Sequence, residues 1–197
     1  GLQRFAESWQ LPVACGFRFQ DTFDNRHPQY AGDVGIGINP KLAARVREAD
    51  LILAIGVRLG EMTTGGYEHL TVPRPRQTLV HLHPGAEELG RVYAADLMLQ
   101  CSLSHAGQAL ETLAALAQVP WAAWTAAARA DYEANQGAAA VEPLDMTQLV
   151  KTTNRLVPEN TVYTNGAGNF SAWLHRFTPY PALHLHGRTQ LAPTSGA

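Results

Sequence analysis

Three glycine-bearing segments hold the residues of this chain best suited to chemistry. Gly32-Asp33-Val34-Gly35-Ile36-Gly37-Ile38-Asn39-Pro40 is a glycine-rich loop that enters a helix. Gly56-Val57-Arg58-Leu59-Gly60-Glu61-Met62-Thr63-Thr64-Gly65-Gly66 follows five consecutive apolar residues. Asn165-Gly166-Ala167-Gly168-Asn169 follows Thr161-Val162-Tyr163-Thr164 and leads into a predicted helix from Phe170 to Phe177. Beyond the carboxyl ends of parallel strands, helix N-termini present unpaired N–H groups and a partial positive charge, and glycine lets a phosphate approach the backbone. Each segment is therefore a candidate anion cradle, and Arg58 adds a guanidinium able to grip phosphate with two donors. Each also has a plainer reading. The first is a tight turn needing positive φ, the second an Arg58 paired with Glu61 at the surface, and the third an Asn-Gly hairpin turn.

Other chemistry is thinner. His81 and His83, like His184 and His186, are two apart and share a face if their segments are strands. Zinc needs three or four convergent ligands, and no Cys or carboxylate cluster stands at helpful spacing, so protonatable surface pairs are expected and no metal site. Thr194-Ser195-Gly196 lacks the Gly-x-Ser-x-Gly frame of a nucleophile elbow. Cys15 and Cys101 each end an apolar run, far apart in sequence, which fits buried reduced thiols.

The elements that must position these residues follow from composition and pattern. The 197 residues are 46% hydrophobic and 16% charged, a globular balance that excludes a disordered tail or a coiled coil. A net charge of −2 gives no field for nucleic acid. No apolar run approaches the roughly 20 residues that span a bilayer, and no leader opens the chain, so no membrane partner and a cytoplasmic location are expected.

Residues 2 to 9 read as a helix and Leu11–Cys15 as a buried strand. Asn39 caps a second helix with Pro40 in its first turn and a stripe of Leu42, Ala43, Val46 and Ala49. Leu51–Ile55 is apolar at every position, which predicts a strand covered on both faces. Leu79–His83 and Leu97–Cys101 read as further strands, and Ser104–Ala117 as a helix. Alternation of this kind predicts a doubly wound α/β domain with a parallel sheet.

An Ala-rich helix over 122–140, bearing Trp124 just after Trp121, connects this domain to a second unit. There Asp145 caps a helix striped by Met146, Leu149, Val150 and Leu156, Thr161–Thr164 is a strand, and the signals fade after Pro179. The expected organisation is a first domain over 1–120, a connecting helix and linker over 121–144, and an incomplete α/β segment over 145–197. The chain opens without Met inside an amphipathic stretch and stops in a loop-like signal, so a fragment is expected.

Taken in order, these segments resemble the thiamine diphosphate-dependent enzymes, closest to the acetolactate synthase large subunit and its relatives. The resemblance is carried by Ala49-Asp50-Leu51-Ile52-Leu53-Ala54-Ile55-Gly56-Val57-Arg58 with Thr64-Gly65, then by Leu79-Val80-His81-Leu82 with Ala86-Glu87-Glu88-Leu89-Gly90. Thr164-Asn165-Gly166-Ala167-Gly168-Asn169 with Trp173, and Leu191-Ala192-Pro193-Thr194-Ser195-Gly196, complete it. It implies a Rossmann-like central domain followed by the start of a diphosphate-binding domain. In such a domain Gly35, Gly37, Gly56, Val57, Arg58 and Thr63 would line a pocket for FAD or ADP, and Gly168, Asn169 and Phe170 would contact the thiamine diphosphate phosphates.

The chain departs from the family pattern at His83, where flavin-binding members usually carry an acidic residue, and in lacking the Gly-Asp-Gly segment that holds Mg²⁺. The resemblance implies a parent enzyme, homodimeric or homotetrameric, that decarboxylates or ligates a 2-keto acid, with this piece inactive by itself and without catalytic residues. The alternative is a stand-alone nucleotide-binding or regulatory Rossmann-like module. An NAD-dependent dehydrogenase would need a third glycine after Gly35-Ile36-Gly37, where Asn39-Pro40 stands instead.

Overall fold

A computed structural model describes residues 1–137, 144–166 and 168–181, and the backbone of 189–191. Its strands pair in parallel throughout, with helices between them, so the fold is α/β. β1 (Val13–Gly16) pairs with β2 (Tyr30–Val34), while β3 (Leu51–Ile55), β4 (Thr78–His83) and β5 (Leu97–Gln100) form a second sheet in that order. The two sheets meet at their carboxyl ends, where a Cβ added to Gly16 would sit 3.0 Å from Val57 Cγ2.

Local chemistry accounts for the connecting helices. α1 (Leu2–Ser8) packs on α3 (Leu103–Glu111), joined by Arg4 and Glu111 at 2.7 Å. α2 (Pro40–Glu48) starts where the Asn39 side chain accepts from the Lys41 N–H at 3.0 Å, with proline at the first turn. Arg45 and Arg47 in its last turn suit the negative end of the helix dipole. Leu42 of α2 packs with Ala31 of β2 and Ala128 of α4 (Ala122–Asn135). α4 is fastened to the start of the chain by Trp121 Nε1 donating to the Trp9 carbonyl and Thr125 Oγ1 to that of Gln10.

Asp131 of α4 receives Lys41 Nζ at 2.8 Å and Arg45 Nε at 3.0 Å, and Arg45 lies over the Trp124 ring. Bonds from Lys41, then from Arg45, hold its carboxyl below the ordinary value. Stability contributed by such a depressed carboxyl is present above its unfolded pKa and lost as pH falls through the folded one. Asp131→Asn is therefore expected to cost about 1–2 kcal/mol near pH 7 and much less near pH 3, as read by urea unfolding at both pH values.

The second unit holds α5 (Met146–Leu156), β6 (Val162–Thr164), α6 (Ser171–Phe177) and β7 (Thr189–Leu191), with β7 parallel to β6. It is stitched to the first. The Asn25 N–H donates to the Tyr180 carbonyl at 2.9 Å, and the Tyr180 N–H returns to Asn25 Oδ1 at 3.0 Å. Arg176 donates twice to the Asn135 carbonyl of α4, while within the second unit Asn154 of α5 donates to the Phe177 carbonyl of α6.

Several expectations need correction. The glycine-rich loop at 32–40 begins inside a strand, β2, that alternation did not reveal. The helix expected over 104–117 ends at Glu111, and beyond it Leu113 and Leu116 have no apolar surface to cover. β3 is not covered on both faces: Ala54 and Ile52 pack with Leu70, Leu79 and Tyr93, whereas Leu51 is 53% exposed and all of β5 is exposed. In α5 the inward positions are Thr147 and Val150, and Leu149 and Leu156 face solvent. The helix expected to reach 140 runs to Asn135, and 138–140 lie outside the described residues, as do His184 and His186. No helix is long and apolar enough to cross a membrane among the described residues.

Candidate functional site

The carboxyl ends of β1 to β4 form the crevice where an α/β sheet takes its ligands. On one side lie Gly35 and Gly37. A Cβ on Gly35 would meet Phe17 Cδ2 at 2.8 Å, so the glycine is there to admit that ring. Gly37 has φ +79 and faces Ala172 of α6, and the Ile38 N–H donates to the Gly35 carbonyl at 3.2 Å. The tight-turn reading accounts for Gly37, whereas Gly35 has no positive φ and makes room for Phe17. Phe17 in turn meets the His175 ring edge-on at 6.3 Å. His175 is buried with Nε2 unpartnered, and desolvation, helped by Arg18, lowers its pKa.

On the other side lie Gly56, Val57 and Arg58. Gly56 has φ +64 and donates its N–H to the Leu82 carbonyl at 2.8 Å. The Val57 carbonyl accepts from His81 Nε2 at 3.0 Å, which fixes the tautomer with the proton on that nitrogen. His81 is 2% exposed and desolvation lowers its pKa, so the expected surface pair is instead one buried neutral imidazole and one turn-capping one. His83 is the latter, its Nδ1 accepting from the Gly85 N–H at 3.1 Å.

Arg58 does pair with a carboxylate, but with Glu88 at 3.3 Å rather than with Glu61. Arg91 binds the same carboxylate at 2.8 Å. Between them is a cleft of about 120 Å³ lined by Arg58, His81, Glu88, Arg91 and Tyr93. Thr63 is half-buried in the turns that follow, where its neighbour Thr64 is buried and donates to the Gly60 carbonyl at 2.9 Å.

The third segment is an exposed turn ahead of α6. The Ser171 N–H and hydroxyl both donate to the Gly168 carbonyl, the Ala172 N–H donates to Asn169, and Phe170 is half exposed. β6 pairs with a parallel strand, not an antiparallel neighbour, so the hairpin reading does not hold. Through Ala172 and His175, α6 brings this turn toward Gly35 and Gly37, while of Gly56, Val57 and Arg58 only Arg58 lines the cleft on the other side. No group of three His, Cys, Asp or Glu is placed to hold a metal among the described residues. Both cysteines are free thiols; Cys15 is buried, which pushes its pKa to about 11, and Cys101 is half-buried.

Residues 1–116 match the family model described as the thiamine pyrophosphate enzyme, central domain. The chain belongs to the thiamine pyrophosphate enzyme family. Among its curated relatives in that family, the acetolactate synthase isozyme 2 large subunit of Escherichia coli (strain K12) is 25% identical over 175 residues, covering 87% of this chain and 30% of that protein. An acetolactate synthase of Mycobacterium bovis is 20% identical over 186 residues, covering 91% of this chain and 30% of that protein. The sulfoacetaldehyde acetyltransferase of Roseovarius nubinhibens is 36% identical over a shorter stretch of 59 residues, 30% of this chain and 10% of that protein. The chain thus spans about 30% of the length of the acetolactate synthases it matches. The matched central domain is the part that carries both sides of the crevice, and the α6 turn lies beyond it.

Proposed function

We propose that this chain is the central domain, with the opening of the diphosphate-binding domain, of a thiamine diphosphate-dependent enzyme that decarboxylates or ligates 2-keto acids. The observation that carries the reading is the likeness to an acetolactate synthase large subunit across 87% of the chain, together with the central-domain match over residues 1–116. Thiamine diphosphate, when bound, supplies a nucleophilic carbon and an electron sink for carbon–carbon bond chemistry. Of this chain's residues, Gly168, Asn169 and Phe170 would lie against its phosphates, on a turn that is exposed and short of side-chain bulk at Gly168.

Mg²⁺ is usually held by one or two protein oxygens with phosphates and water, and no group of three His, Cys, Asp or Glu stands together among the described residues. The chain's own contribution is scaffolding: the stitched contacts at Asn25–Tyr180 and Arg176–Asn135 set the α6 turn at a fixed place against the central sheet.

The test compares two proteins against a panel of 2-keto acids with thiamine diphosphate and Mg²⁺. The longest polypeptide in frame with this sequence is expected to consume at least one of them, and the 197-residue chain to consume none. Turnover by the short chain, or its absence from the longer one, would overturn the proposal.

A further inference from the structure

We infer that the crevice at the carboxyl ends of the central sheet takes no nucleotide, because the chain's own side chains already occupy each position a nucleotide would use. The inference concerns the central domain alone and stands whether or not the proposed 2-keto acid chemistry is right.

A dinucleotide in a doubly wound sheet asks for three things: an open glycine turn at a helix N-terminus, a cation for the phosphates, and an acceptor for the ribose at the next strand end. The first is filled. Phe17 lies against Gly35, Ala172 of α6 faces Gly37, and the first free N–H of α2, that of Lys41, is already bonded to the Asn39 side chain. The second is engaged. Glu88 is mostly buried, accepts from Arg91 at 2.8 Å and pairs with Arg58 at 3.3 Å, so a phosphate would have to displace a carboxylate that already faces two guanidinium groups.

The third is absent. His83 stands where a carboxylate would accept ribose hydroxyls, and its Nδ1 closes the turn at Gly85. Its neighbour His81, which also lines the cleft, is committed to the Val57 carbonyl. The space left is about 120 Å³, against the roughly 300–1,000 Å³ typical of small-molecule sites.

The test uses the full-length protein as purified. Its visible spectrum is expected to show no flavin band, and calorimetric titration with FAD or ADP to about 1 mM to give no saturable heat and no rise in Tm. Saturable micromolar binding of either nucleotide would overturn the inference. Glu88→Gln keeps the shape and removes the charge that engages Arg58, and it is expected to bring detectable ADP binding. If a folded Glu88→Gln protein, checked by circular dichroism, binds no ADP, then Glu88 is not what withholds Arg58, and the explanation fails.

Discussion

Gly56→Ala is expected to lower stability by about 2–4 kcal/mol, a fall in Tm of roughly 5–15 °C for a protein of this size. Two costs add. At φ +64 a Cβ approaches the following carbonyl, worth about 1–2 kcal/mol. The same Cβ would sit 2.6 Å from Leu103 Cδ2, at the point where α3 closes over the end of β3. Gly66→Ala separates the two costs, since Gly66 has φ +69 but nothing within 4 Å of an added Cβ. Thermal unfolding of both variants should show a small loss for Gly66→Ala and a loss two to three times larger for Gly56→Ala. Equal losses would mean that Leu103 simply moves aside.

The opposite sign is expected at Asp33. Its carboxyl is half-buried at the end of β2, close to Cys15, Tyr30, Tyr132 and Tyr180, and forms no ion pair among the described residues. Burial raises its pKa to about 6, with its own backbone N–H and Gln20 acting in the other direction. Because the folded pKa lies above the unfolded one, the stabilising effect of protonation is fully present below about pH 4 and is lost as pH rises through about 6.

Above that pH the ionised group costs up to about 3 kcal/mol, which an uncharged amide of the same shape avoids. Asp33→Asn should thus stabilise the protein by about 2–3 kcal/mol at pH 7.5, and the gain should vanish near pH 4. Denaturant unfolding across that range would register it. A gain independent of pH would show that charge is not its source.

Short-range signals were legible in the sequence, and contacts between distant segments were not. The caps at Asn39 and Asp145 and the runs at Leu51–Ile55 and Thr78–His83 lie within about 1 residue of where they were expected, because capping and strand formation depend on neighbours. β2 escaped because Tyr30-Ala31-Gly32-Asp33-Val34 has no alternation: Ala31 packs with Leu42 and Ala128, and Tyr30 with Ala6, Cys15 and Phe23, so both faces are used.

At the candidate site the three glycine turns were found where expected, but not what lies on them. Nothing in the spacing ties Phe17 to Gly35, or Arg58 to Glu88 thirty residues later. A guanidinium's partner is chosen by how β3 and β4 stack their following loops, which is a property of the sheet. For the same reason His81 could be placed on a strand face but not known to be buried.

The reciprocal bonds between Asn25 and Tyr180 close a loop of 155 residues. A backbone cut anywhere between α4 and α5 is expected to leave the two pieces joined by these bonds and by Arg176 on the Asn135 carbonyl. The α6 turn is thereby tied to the segment between β1 and β2 by hydrogen bonds of the main chain, and to α4 through Arg176 on the Asn135 carbonyl.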